Sequence, residues 1–108
     1  MKLSMIVEHV SGFRLPFPGA DKLAKLSIER CKGTGHTQYV ADDGSERWES
    51  VSEETLIQDA KEELADAHAY ICALLWRSHN AEWLQVVPLL SMAFQHLENP
   101  PASNKDVQ

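Results

Sequence analysis

The stretch Glu53-Glu54-Thr55-Leu56-Ile57-Gln58-Asp59-Ala60-Lys61-Glu62-Glu63-Leu64-Ala65-Asp66 decides the fold. It reads as the first half of one long helix, from Ser52 to about Ser78. Leu56, Ala60, Leu64, Ala67, Ile71 and Leu74 recur at three- and four-residue intervals, which makes one apolar stripe of an α-helix. Ser52 suits the N-cap, and Glu53 and Glu54 lie in the first turn, where negative charge complements the helix dipole. At about 100° per residue, Asp59, Glu62, Glu63 and Asp66 fall within roughly 100° of arc. Like charges one turn apart cost about 0.2–0.5 kcal/mol per pair. A divalent cation would remove that penalty. The face is therefore a candidate Mg²⁺ site, and Mg²⁺ points toward phosphate chemistry. The plainer alternative is a solvated acidic face, with Lys61 beside it.

Beyond the acidic half, Tyr70 to Trp76 is almost entirely apolar. That end should be buried on several sides, a second subunit included. Ala81 to His96 reads as a third helix, which Pro88 either kinks or splits in two. Upstream, Asp21 to Lys32 is a helix with Leu23, Leu26 and Cys31 on one stripe; Gly33 stops it, and Lys32 suits its last turn. Pro16 and Pro18 make Gly12 to Gly19 an extended loop. Residues 1–12, with Met5-Ile6-Val7 and Val10, fit a short strand or a first helical turn equally well. Gly33 to Ser52 reads as a loop, with turn chemistry at Gly35, Asp42, Asp43 and Gly44. Tyr39-Val40 and Trp48 either form a small hairpin around that turn or pin an irregular loop. The tail from Asn99 to Gln108 carries Pro100-Pro101 and polar residues and is expected to be disordered. The expectation is one all-α domain over residues 1–98: a small helical bundle with one long central acidic and apolar helix, completed by oligomerisation.

Composition narrows the function classes. The chain has 108 residues, 44% of them hydrophobic, which is one ordinary globular domain. A net charge of −6 with scattered basic residues argues against direct nucleic-acid binding. A nucleotide would need a metal to bring its phosphates to the acidic face. No run of about 18 apolar residues exists, so no membrane span is expected. With no targeting segment at the N-terminus, a cytoplasmic location is expected. Cys31 and Cys72 lie far apart, without metal-ligand spacing, and fit two reduced thiols. Glycine-rich phosphate loops and nucleophile elbows are absent from the sequence.

Glu62-Glu63-Leu64-Ala65-Asp66, followed by Ala69-Tyr70-Ile71, resembles the Glu-Glu-Leu-(Gly/Ala)-Asp helix of the MazG-like all-α nucleotide pyrophosphohydrolases. The shorter phage and bacterial members have a similar layout: an Arg-x-Lys-Gly helix end, here Arg30-Cys31-Lys32-Gly33, then a loop with Tyr39 and Trp48, then the acidic helix. The resemblance spans roughly residues 22–76. It implies a helical bundle, a dimer or tetramer, and Mg²⁺-dependent cleavage of a nucleoside triphosphate to monophosphate and pyrophosphate, with Mn²⁺ as a substitute. It also implies that Glu62, Glu63 and Asp66 ligate the metal, which lowers the pKa of the attacking water. Asp59, with Glu62, would orient that water or take its proton. The family pattern has a second Glu-x-x-Glu upstream, usually on the preceding helix. The helix here offers only Asp21 and Glu29, while Glu46-Arg47-Trp48-Glu49 has the spacing within the loop. Glu46 and Glu49 are therefore the remaining candidate ligands.

Lys32, Arg47 and Arg77 are candidates to meet phosphates, or else surface charges. Trp48 and Tyr39 are candidates to stack on a base, or else anchors for a long loop. His68 reads as a packed or surface residue, since the Glu-x-x-His signature of di-iron bundles is absent. Two functions remain: the pyrophosphohydrolase, or a non-catalytic acidic interaction protein that binds or inhibits a protein partner through its apolar segments. Whether Glu46 and Glu49 reach Glu63 and Asp66 discriminates between them.

Overall fold

The computed structural model describes residues 1–11, 18–33, 39–40 and 43–102. Gly35, Asp42, most of the Gly12–Gly19 loop and residues 103–108 of the tail lie outside that set. The architecture is all-α, as the sequence predicts, and no strand occurs among the described residues. The chain divides into two compact units, Met1–Ser52 and Glu53–Gln108. None of its described helices is long and apolar enough to cross a membrane.

The first unit opens with α1, Leu3–Ser11, which settles the ambiguous N-terminal stretch as helix. It packs against α2, Ala20–Lys32. Gly19 precedes α2 with φ of +84°, in the left-handed region, and its carbonyl accepts the Leu23 N–H at 2.9 Å. Gly33 closes α2 for a different reason. Its φ of −105° is negative, but its ψ of −127° falls between the helical and extended regions, and a Cβ there would stand 3.0 Å from the Glu29 carbonyl oxygen.

Of the two readings of the loop, hairpin or irregular segment, the structure shows a hairpin reduced to a single bridge. Val40 and Glu46 make an isolated antiparallel bridge around the Asp43-Gly44 turn, where Gly44 has φ of +85°. Asp43 Oδ1 accepts from both the backbone N–H and the hydroxyl of Ser45, at 2.9 and 2.6 Å. Those two bonds favour the ionised carboxylate and hold Asp43 below the usual carboxylate range. Trp48 is not on a strand: it lies in a one-turn helix, α3, Arg47–Ser50.

The second unit is a helical hairpin. Its first arm is α4, Glu53–Ser78, 26 residues long. His79 ends it with φ of 54°, a left-handed residue that is not glycine, and its N–H bonds to the Leu75 carbonyl at 3.0 Å. Asn80 then starts a short 3₁₀ turn, Ala81–Gln85, by accepting the Glu82 N–H on its side chain at 3.0 Å. The last helix, α5, is Val86–Glu98. The expected third helix is thus split rather than kinked. Pro88 falls in the first turn of α5, where its missing N–H would have no intrahelical partner anyway.

Lys61 fixes the hairpin at its far end. Its ammonium is 2.8 Å from Glu98 Oε2 and 5.7 Å from the centroid of the Phe94 ring. The early part of α4 therefore meets the end of α5, and the two helices run antiparallel. The half-buried apolar row of α4 along this stretch is Ile57, Ala60, Leu64, Ala67, Ile71 and Leu75, with Lys61 among them. Leu56 and Leu74 of the predicted stripe stand outside it, at 36% and 40% exposure. The answering row of α5 is Val86, Leu90, Ala93 and Leu97. Among the described residues only Ser4 is buried, and no hydrophobic side chain is.

Candidate functional site

The candidate ligands fall into two sets, one in each unit. Glu62, Glu63 and Asp66 lie on α4, within one turn of one another and exposed. Asp59, one turn earlier, is half-buried. Helix geometry places Glu63 and Asp66 at i,i+3 and Glu62 and Asp66 at i,i+4, so either pair shares a surface. Gln58 Nε2 donates to Glu62 Oε1 at 3.4 Å, a weak contact that keeps this carboxylate on its own helix. Among the described residues no three acidic, histidine or cysteine side chains come together as a group that would hold a metal ion.

Glu46 and Glu49 belong to the first unit, and both turn toward its N-terminal end. Glu46 Oε1 accepts the Leu3 N–H at 2.6 Å, supplying the start of α1 with an acceptor that its own sequence lacks. Glu49 Oε1 takes the Met1 ammonium at 2.8 Å. Trp48 Nε1 donates to the Met1 carbonyl at 2.9 Å. The Glu46-x-x-Glu49 segment is thus a clasp around residues 1–3. Burial, and then the nearby Glu46 carboxylate, push the Cys31 thiol above its ordinary pKa.

The candidate substrate residues are dispersed. Lys32 is exposed at the end of α2, where it lines an open groove with Asp21, Lys25 and Glu29. Arg47 and Tyr39 are half-buried in the first unit. Arg77 is exposed in the last turn of α4. The apolar end of α4, which should be buried on several sides, is open: Tyr70 is 72% and Trp76 is 82% exposed. Cys72 Sγ lies 3.8 Å from both ring nitrogens of His68, so that histidine packs on its own helix surface.

The N-terminal clasp was not readable from the residues. Its only visible sign was the Glu-x-x-Glu spacing, which suits a metal as well as it suits two backbone partners. In comparisons with known proteins, no family model, curated protein or solved structure matches the chain.

Proposed function

We propose that this chain is a Mg²⁺-dependent nucleoside triphosphate pyrophosphohydrolase of the MazG-like kind, releasing a monophosphate and pyrophosphate. The observation that carries the reading is the Glu62-Glu63-Leu64-Ala65-Asp66 turn, placed intact within α4 with its three carboxylates at the surface. Hard carboxylate oxygens suit Mg²⁺, which usually takes one or two carboxylates and completes its shell with water and substrate phosphate. The adjacent pairs on α4 meet that requirement without a larger cluster, so the donor chemistry fits. Glu62, Glu63 and Asp66 would hold the ion, which when bound supplies charge neutralisation for phosphate and a more acidic water. Asp59, half-buried one turn away, would receive a proton from that water. Glu46, Glu49 and Trp48 in this reading build the first unit. A cytoplasmic location and a homo-oligomer accord with the chemistry.

A second reading is a non-catalytic interaction protein whose acidic face only solubilises it. The exposed apolar residues of α4 and α5 favour it, because such a surface is also what a protein partner would cover.

Calorimetric titration of Mg²⁺ and of Mn²⁺ separates the two, with and without a non-hydrolysable nucleotide. The proteins are the natural chain and the Glu63→Gln/Asp66→Asn double variant. Binding that tightens with nucleotide and disappears in the variant is expected. No binding at millimolar metal would reject the enzyme.

A further inference from the structure

Helix α4 carries a second pair of donor residues, of different chemistry from its carboxylates. His68 and Cys72 stand one turn apart and within about 40° of arc, so both side chains leave the same surface. Both are exposed. Cys72 Sγ lies 3.8 Å from each ring nitrogen of His68. Helix position sets the pair apart from the acidic face, because His68 is about 200° around α4 from Asp66. Ala65 and Ala69 are the neighbours on this surface, and both are exposed residues with small side chains, so an ion and its waters have access.

The separation suits a shared ion. A hydrogen bond would favour one nitrogen over the other, whereas the sulfur is equidistant from the two. Zinc bonds a thiolate at about 2.3 Å and an imidazole nitrogen at about 2.0–2.1 Å, and a tetrahedral angle between them sets the donors about 3.5 Å apart. The observed pair is close to that spacing. Turning the imidazole about its Cβ–Cγ bond aims one nitrogen at the ion. The backbone need not move, since both donors sit on one uninterrupted helix.

We propose that His68 and Cys72 form a binding site for a zinc-class divalent ion, separate from the carboxylates. Thiolate and imidazole donors select zinc, cobalt or cadmium over Mg²⁺. On binding, the thiol releases its proton to solvent, a sulfur lone pair makes the metal–sulfur bond, and a neutral imidazole nitrogen makes the second bond. Water completes the shell, since among the described residues no third histidine, cysteine or acidic side chain joins the pair. The bound ion spans one turn of α4 and ties up its exposed thiol. The site does not depend on the pyrophosphohydrolase reading.

Cobalt titration of the reduced full chain under argon tests the site. A cobalt–thiolate bond gives a charge-transfer absorption in the near ultraviolet that carboxylates do not give. The natural chain should develop that band and lose it when zinc competes. Cys72→Ser should abolish the band, and His68→Ala should weaken zinc binding about tenfold or more. Cys31→Ser should match the natural chain, and circular dichroism should be unaltered in all three. Zinc should also slow alkylation of Cys72 without slowing that of Cys31. The Glu63→Gln/Asp66→Asn variant should keep the band whatever it does to Mg²⁺ binding, so the two sites stand or fall separately. Absence of the band at millimolar cobalt would overturn the proposal. So would a band that persists in Cys72→Ser, or zinc affinity unchanged in His68→Ala.

Discussion

The two units use the same spacing of carboxylates in opposite ways. In Met1–Ser52, Glu46 and Glu49 turn inward and hold the backbone and ammonium of residues 1–3. In Glu53–Gln108, Glu63 and Asp66 share that spacing and stand at the surface of an uninterrupted helix. The difference is local. A loop followed by one helical turn can bend its carboxylates onto a nearby helix start, where unsatisfied N–H groups attract them. A long helix has already satisfied its own amides, so its carboxylates project outward. Spacing alone therefore does not reveal a ligand pair; the state of the neighbouring backbone does.

Neutralising each pair in turn separates the two roles. Glu63→Gln/Asp66→Asn should lower pyrophosphate release by roughly 10²-fold or more, the scale of losing an essential carboxylate. Glu46→Gln/Glu49→Gln should leave release within a few-fold. The reverse result, in a quantitative pyrophosphate assay, would move the chemistry to the first unit. Stability should separate the pairs the other way. Glu46→Ala should destabilise the first unit by about 1–2 kcal/mol in urea unfolding, since a part-buried N–H loses its acceptor. Glu49→Ala should cost about 0.5 kcal/mol, an exposed ion pair.

Smaller effects sharpen the picture. His79→Gly should stabilise the second unit by about 1 kcal/mol in the same experiment, because glycine adopts φ of 54° without strain. Thiol labelling near pH 8 should reach exposed Cys72 before half-buried Cys31, whose thiolate is disfavoured. The smallest effect concerns Asp43. With its pKa lowered in the fold, its carboxylate favours the folded state above the ordinary aspartate range. That contribution is lost as pH falls through the folded value. NMR titration should show Ser45→Ala returning Asp43 toward an ordinary aspartate.

The helices were legible where periodicity and punctuation agreed. Gly33, the Asp43-Gly44 turn and the extent of α4 follow directly from the residues. Helix α1 was not legible, because Met5-Ile6-Val7 fits a strand until Glu46 and α2 are in place beside it. Pro88 was ambiguous because a proline within an apolar run marks either a kink or a first turn; the start of α5 at Val86 puts it in the first turn. Of the stripe read from Leu56 to Leu74, Ala60, Leu64, Ala67 and Ile71 are half-buried, while Leu56 and Leu74 are exposed. An apolar pattern shows that a helix has partners, but not how many. For the carboxylates, helix geometry made the α4 set visible, whereas the clasp depends on residues more than 40 positions apart.

The short connection between α4 and α5 sets how quickly the second unit can form. His79 to Gln85 turns the chain directly back, so most pairings across the hairpin need only a brief search, which rises steadily toward the Lys61–Glu98 pair 37 positions apart. Helical pairs of such low contact order fold within microseconds to milliseconds, whereas association waits on concentration. During synthesis, then, the hairpin would be complete long before its open face met another molecule, and cellular abundance rather than chain topology would govern how long that face stays wet.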